Sequence, residues 1–262
     1  MSMKAIFFEQ FLESIKKVPG IKIDRSAYLK SCFRHKSQRE LEKILLEGPV
    51  EAGVPMEEIG IKAKNAIKYE ANSATVTSFV TGLPGGFTMF ATIPADVLQY
   101  YGRSIAIIQK LMYLYGWEEN VFDDRGNIDD ETKSTLILYL GVMCGVKTAS
   151  TALVKIAATN SAKVAKGAIT KTASRALIKS ATFRSMVVKI VKAIGLRATI
   201  KGGVKIWTKM VPVFGGIFSA TITMASFKPA ASRLKKYFEK GILEECDSEI
   251  EADDIIKMAE NR

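Results

Sequence analysis

Apolar residues recur at steps of three and four along most of the chain, which is the spacing of one helix face. The clearest case is residues 56–81, where Ile59, Ala63, Ala66, Ile67, Glu70 and Ala74 follow this spacing. The same pattern predicts helices over residues 3–17, 24–33, 38–46, 94–115 and 131–158, and a last helix from about residue 230. Alternating β-branched runs are absent except near residues 74–79. The pattern therefore predicts an all-α fold, built as a single globular helical domain.

Local signals support several of these helix ends. Asp24 and Asp129 precede apolar-periodic segments, and an aspartate in that position caps a helix by accepting from its first N–H groups. Glycine follows the helices predicted to end near residues 46 and 115, at Gly48 and Gly116. The stretch 118–131 is then an acidic connection between two helices.

Two windows of the chain carry no charged side chain, residues 71–95 and residues 210–227. The first is long enough to cross a bilayer, yet it holds two serines and five threonines. Its centre is broken by Gly82, Pro84, Gly85 and Gly86, and the second window has a similar break at 212–216, which includes Gly215 and Gly216. We expect two glycine- and proline-broken hydrophobic hairpins at the centre of the domain, covered by protein.

The charge is unevenly distributed along the chain, whose formal net charge is +11. Residues 147–238 contain 18 Lys or Arg and no Asp or Glu, whereas residues 241–262 contain eight acidic and two basic residues. Such an uneven distribution of charge favours an anionic partner for the basic half, or an acidic tail that folds back on it.

Three interpretations of the basic half remain open. Cationic helices with apolar faces are typical of proteins that bind an anionic membrane surface. A soluble helix pair with a solvated lysine face is the second interpretation. Nucleic-acid binding is disfavoured because Phe183 is the only aromatic residue between 147 and 205. For membrane contact the first cations would be Lys163, Lys166, Lys171, Arg175 and Lys179.

One polar cluster could carry chemistry. Asp96, Gln99, Tyr100 and Arg103 share a helix face, and Asp96 could be a buried acid or base. Arg103 or Lys110 would then contact an anion, and successive glycine N–H groups at Gly82–Gly86 could form an anion-binding nest. The alternative is architectural: Asp96 interacts with its helix dipole and with a partner such as Arg103, and the glycines permit close helix packing.

Metal and thiol chemistry find little support. The chain has one histidine, His35, among basic neighbours, so histidine-based metal sites are disfavoured. The acidic loop 123–131 departs from the EF-hand spacing. Three scattered cysteines indicate reduced thiols in a cytoplasmic protein, and we expect no cofactor.

Five separated segments resemble the EcsC family, a bacterial family named for the third product of an ABC-transporter operon. They are Gly82–Gly86, Ile93–Asp96, Gln109–Gly116, Gly141–Gly145 and Pro212–Gly216, in this order. The resemblance covers about residues 25–240, after an N-terminal helix and linker at 1–24 and before an acidic tail at 241–262. It implies a hydrophobic helical protein, cytoplasmic or membrane-associated, and it assigns no catalytic residue or cofactor to this chain. The family often has an Asn after its second glycine-rich segment, where this chain has Thr221 and Thr223.

These observations lead to one main hypothesis and two alternatives. The main one is a non-enzymatic accessory or effector protein, peripheral to the inner face of the cell membrane. It would engage anionic lipid or a membrane partner through its cationic, glycine-rich hydrophobic second half. The first alternative is a helical enzyme or small-molecule binder with a pocket at the glycine turns and Asp96 as acid or base. The second is a structural scaffold that other proteins bind through the acidic tail.

Overall fold

The computed structural model of this chain describes residues 15–16, 18–73, 95–158 and 220–247. Within these ranges the fold consists of α-helices with no strand, as the pattern predicts. In chain order the helices are α1 (Arg25–Cys32), α2 (Gln38–Glu47), α3 (Met56–Ser73), α4 (Ala95–Leu114), α5 (Asp130–Met143), α6 (Lys147–Ala158) and α7 (Ala220–Asp247).

The first helices begin and end where local side-chain chemistry directs them. Asp24 caps α1 by accepting a hydrogen bond from the Ala27 N–H at 2.6 Å. Ser37 and Glu40 form a reciprocal capping box at the start of α2, which satisfies two of the helix's free N–H groups. Gly48 ends α2 with a φ of +88°, a backbone conformation that glycine adopts without a Cβ clash.

Helix α4 lies at the centre of the described fold and contacts α1, α3, α5 and α7. Its side chains at Leu111, Tyr113 and Leu114 are fully buried. Helix α7 crosses α3, α4 and α5 and brings Phe238 against two tyrosines of the core. The Phe238 ring stacks on Tyr115 at 5.2 Å between centroids and lies 4.9 Å from Tyr139. This aromatic cluster joins α7 and α5 to the C-terminal end of α4 by burying large apolar area at one point.

Two predicted helix boundaries are wrong. The segment 131–158 is two helices rather than one, because Gly145 adopts a φ of +74° and ends α5 after its Cys144 cap. The last helix already covers residues 220–229, with Pro229 inside it, so it does not begin near residue 230. It also continues to Asp247, so the domain boundary predicted at residue 240 lies within a helix.

Several predictions fall outside the described residues. These are most of the helix at 3–17, the glycine turns at 82–86 and 212–216, and the two hairpins built on them. The charge-free window 71–95 is described only at its ends, where residues 71–73 close α3 and Ala95 opens α4. None of the helices in the described ranges has both the length and the hydropathy needed to cross a bilayer.

Candidate functional site

A buried carboxylate organises the polar groups between α3 and α4. Glu70 has only 1% of its side chain exposed, and it accepts hydrogen bonds from two cations of α4. Lys110 Nζ lies 2.5 Å from Glu70 Oε1, and one Arg103 terminal nitrogen lies 3.3 Å from Oε2. Arg103 and Lys110 are seven residues apart, which places them on one face of α4 two turns apart.

The Lys110 ammonium also lies over two aromatic rings. Its Nζ is 4.6 Å from the centre of the Tyr69 ring and 5.6 Å from the centre of the Tyr28 ring. Cation–π attraction strengthens when the cation is desolvated, and Lys110 is largely buried. The ammonium is therefore held where α1, α3 and α4 meet.

The charges of this cluster do not cancel. One carboxylate, Glu70, faces two cations, Arg103 and Lys110, so the three side chains carry one net positive charge. The Nε of Arg103 is buried and has no hydrogen-bond partner among the residues that the structure describes. A site with surplus donors and surplus positive charge attracts anions.

A cleft of about 660 Å³ opens beside this cluster, between α1 with its following turn and α3. Lys110 lies on its inner side. The volume is within the range of small-molecule sites. The lining side chains are almost all hydrogen-bond donors, cations or aromatic rings: Tyr28, Ser31, Cys32, Arg34, His35, Lys62, Asn65, Ala66, Tyr69 and Lys110.

The electrostatic character of the cleft follows from its unbalanced cations. Among the residues that the structure describes, no Asp or Glu lines it. Among the described residues, Arg34 and Lys62 have no carboxylate within 4.0 Å, whereas His35 Nε2 lies 3.0 Å from Glu58. Lys62 instead places its ammonium 5.8 Å from the centre of the Phe33 ring. The cleft thus presents Arg34 and Lys62 to whatever enters it.

Burial disfavours ionisation of two groups that line the cleft, the Cys32 thiol and the Tyr28 hydroxyl. Burial raises the pKa of the Cys32 thiol, and hydrogen bonds to Tyr28 and Ser31 offset part of that effect. Burial also raises the pKa of Tyr28 well above its usual value. A protonated thiol is a poor nucleophile, so the arrangement favours binding over covalent chemistry.

The outer surface of α3 continues the cationic character of the cleft. From residue 59 onward this helix exposes no acidic side chain, because Glu70 is buried. Its exposed side chains combine two lysines with two apolar groups, Ile61 at 50% exposure and Tyr69 at 62%. We call this surface the exposed α3 face; it comprises Ile61, Lys64, Asn65, Lys68, Tyr69 and Asn72.

The structure places only part of the predicted site. Tyr100 is buried, and its ring meets Tyr101 and Phe227 edge to face at 5.2 and 5.9 Å. Arg103 and Lys110 both bind Glu70, which is not the partner expected for Arg103. Asp96 and Gln99 lie in the first turns of α4, but their side chains are outside the described part of the chain.

The remaining predicted site residues lie outside the described residues altogether. They are Gly82, Pro84, Gly85, Gly86, Gly215 and Gly216 of the two turns, and Lys163, Lys166, Lys171, Arg175 and Lys179 of the basic half.

Of the predicted site residues that the structure describes, only Lys110 lines the cleft; the other cleft residues and the role of Glu70 were not foreseen. Glu70 lies on the apolar face of α3, four residues after Ala66 and three residues after Ile67, which are both buried. A carboxylate on such a face signals a buried acid that needs a cationic partner. That signal was present in the sequence, but nothing in it pointed to Arg34, Lys62 or Tyr28.

Within the described ranges, no group of three or more His, Cys, Asp or Glu side chains is arranged to hold a metal ion. Comparison with known proteins finds no family model, no curated protein and no solved structure that matches this chain. The resemblance to the EcsC family therefore stays a prediction.

Proposed function

We propose that this protein is a non-enzymatic, membrane-associated accessory or effector protein that binds peripherally to an anionic lipid surface. The observation that carries the proposal is the exposed α3 face, where Lys64 and Lys68 accompany the exposed apolar side chains Ile61 and Tyr69. Each lysine near an anionic bilayer contributes about 1 kcal/mol of binding free energy. Apolar side chains between the lysines strengthen binding by inserting at the membrane interface.

The basic half of the chain supports the same proposal. Residues 147–238 add 18 Lys or Arg without an acidic residue, and the cations proposed for first contact, 163–179, lie there. An inner-leaflet location would supply the anionic lipid. In this proposal the two glycine-broken hairpins pack internally until the protein reaches the membrane.

The enzyme alternative has weaker support in the described residues. Its acid or base, Asp96, was expected to work with Arg103 or Lys110 as anion contacts. Both cations bind the buried carboxylate of Glu70. In the neighbouring cleft, burial raises the pKa of the Cys32 thiol and of the Tyr28 hydroxyl.

Vesicle co-sedimentation at low salt tests the proposal. We expect the full chain to sediment with phosphatidylcholine vesicles that contain phosphatidylserine and to remain in solution with pure phosphatidylcholine. The double variant Lys64→Gln/Lys68→Gln should lose about 2 kcal/mol of binding free energy, since each lysine contributes about 1 kcal/mol. The variant Tyr69→Ser should still bind the vesicles at low salt, but it should dissociate from them more readily as the salt concentration rises.

The matched control is Arg39→Gln/Lys43→Gln on α2, which removes the same charge from exposed positions of another helix. This control should bind like the unchanged chain. Equal losses in both double variants would mean that net charge alone directs binding, and no sedimentation of the unchanged chain would refute the proposal.

A further inference from the structure

The cleft between α1 and α3 has the composition of a specific anion site rather than of a general basic surface. Its cations come from three separate places, the turn after α1 (Arg34), α3 (Lys62) and α4 (Lys110). None of its lining residues in the described part of the chain is acidic. Cations that line a concave, partly apolar site attract an anionic ligand more strongly than the same cations on a flat surface.

The donors suit an anion that has several oxygens. The guanidinium of Arg34 can bind two oxygens at once, while the ammonium of Lys62 provides a compact point charge. Ser31 and Asn65 add neutral polar groups to the lining. A carboxylate has two oxygens to share among these groups, whereas a phosphate monoester has three terminal oxygens and up to two charges.

The aromatic side chains of the cleft suit the remainder of such a ligand. The Tyr69 ring is 62% exposed, and with Tyr28 it forms an aromatic wall around Lys110 Nζ. Lys110 is already engaged by Glu70, so it contributes a fixed positive field more than a free donor. An aromatic or aliphatic group next to the phosphate can pack against the two rings.

We infer that this cleft binds a phosphate monoester, with Arg34 and Lys62 as its principal contacts and Tyr28 and Tyr69 packing against the group that carries the phosphate. The inference extends the proposed function, because the phosphate can belong to a free metabolite or to a lipid head group such as that of phosphatidic acid. Its central measurement uses a soluble ligand and does not depend on membrane binding.

Titration calorimetry of the full chain with phenyl phosphate, and with inorganic phosphate, tests the inference. We expect phenyl phosphate to bind more tightly, because its ring adds contact with the tyrosines. The double variant Arg34→Gln/Lys62→Gln should weaken binding by about 10-fold or more, the effect of losing charge-assisted hydrogen bonds. The control Arg39→Gln/Lys43→Gln removes equal charge from exposed positions of α2 that do not line the cleft, and it should bind as the unchanged chain does.

A measurement without substitutions keeps the test independent of variant folding. On nitrogen-labelled unchanged protein, phenyl phosphate should shift the amide resonances of residues 31–35 and 62–69 and leave those of α5 in place. Shifts elsewhere only, no heat of binding, or equal weakening in the two double variants would overturn the inference.

Vesicles distinguish the two sources of the phosphate. At salt that screens general charge attraction, phosphatidic acid vesicles are compared with phosphatidylserine vesicles of equal surface charge. Preference for phosphatidic acid, lost in Arg34→Gln/Lys62→Gln, assigns the cleft to a lipid head group. Binding of phenyl phosphate without that preference assigns it to a soluble ligand. If phenyl phosphate binds while phosphatidylserine vesicles at low salt do not bind, the proposed function fails and the cleft assignment stands.

Discussion

The Glu70 carboxylate and the Lys110 ammonium form a buried ion pair 2.5 Å apart, joining α3 to α4 across 40 residues of sequence. Arg103 completes the cluster from the same side of α4 at 3.3 Å. Removing these charges from water costs free energy, which offsets their mutual attraction. The pair therefore contributes more to fixing how α3 packs against α4 than to net stability.

Removing one partner of this cluster should therefore be costly. In Glu70→Gln both cations lose their counter-charge, and we expect the free energy of unfolding to fall by about 3 kcal/mol or more. Lys110→Met should cost less, because Arg103 still neutralises Glu70. Denaturant unfolding of both single variants and the double variant gives the coupling energy, and additive losses would contradict a direct interaction.

The buried guanidinium of Arg25 connects two helix ends to α1. Its Nε donates to the Trp117 carbonyl at 2.8 Å and a terminal nitrogen donates to the Leu45 carbonyl at 2.7 Å. Lysine has one ammonium and cannot reproduce this fork. Arg25→Lys should lower the free energy of unfolding by about 2 kcal/mol or more, since a buried carbonyl loses a charged donor. Arg39→Lys, at an exposed position of α2, is the control and should be neutral in the same melts.

Gly102 permits close contact between α4 and the segment before α1. A Cβ at this position would lie 2.8 Å from Val18 Cγ1 and 3.1 Å from Val18 Cβ, and Val18 is buried. Overpacking of this kind costs about 1–3 kcal/mol, which exceeds the roughly 1 kcal/mol that alanine gains in helix propensity. We expect Gly102→Ala to be destabilising.

Two further variants test the cause of that loss. Gly60→Ala is the control, because the Cβ there would meet the flexible end of Glu239 at 3.0 Å rather than a fixed side chain. It should be neutral or stabilising in thermal melts. Adding Val18→Ala to Gly102→Ala should remove the 2.8 Å contact with Cγ1 and leave only the 3.1 Å contact with Cβ. A penalty for Gly102→Ala that is no smaller in the Val18→Ala background would contradict this explanation.

Alkaline pH should destabilise the fold through Tyr113. Burial raises its pKa from 10.0 to about 12, and its hydroxyl donates to the Ile23 carbonyl at 3.1 Å while accepting from the Val121 N–H at 3.0 Å. Because the folded pKa is the higher one, the stabilising contribution is complete below pH 10 and is lost as the pH rises through 12. The free energy of unfolding lost over this pH range is about 2–3 kcal/mol.

Comparison with Tyr113→Phe isolates this residue from the other buried tyrosines. The phenylalanine variant lacks the ionisable hydroxyl, so the difference in unfolding free energy between the two proteins should narrow as the pH rises above 10. Denaturant melts at a series of pH values measure it. A difference that stays constant through this range would show that Tyr113 ionisation does not contribute.

Sequence alone was sufficient where the cause of structure is local. The Asp24 and Asp129 caps, the end of α2 at Gly48 and the helical period of α3 and α4 depend on neighbours a few residues away, and all are confirmed. The division of 131–158 was missed because Gly145 is compatible with a helix interior as well as with a helix end. Burial and packing decide between those two conformations.

The pairing of charges and the cleft were decided by tertiary structure alone. Glu70 meets Arg103 and Lys110 only because α3 and α4 lie side by side, and Arg34 and Lys62 share a cleft only because α1 packs nearby. Hydrophobic periodicity determines which face of each helix is buried, and it does so from the residues of that helix. Which helix covers that face depends on contacts between distant residues, and these assign each charged side chain its partner.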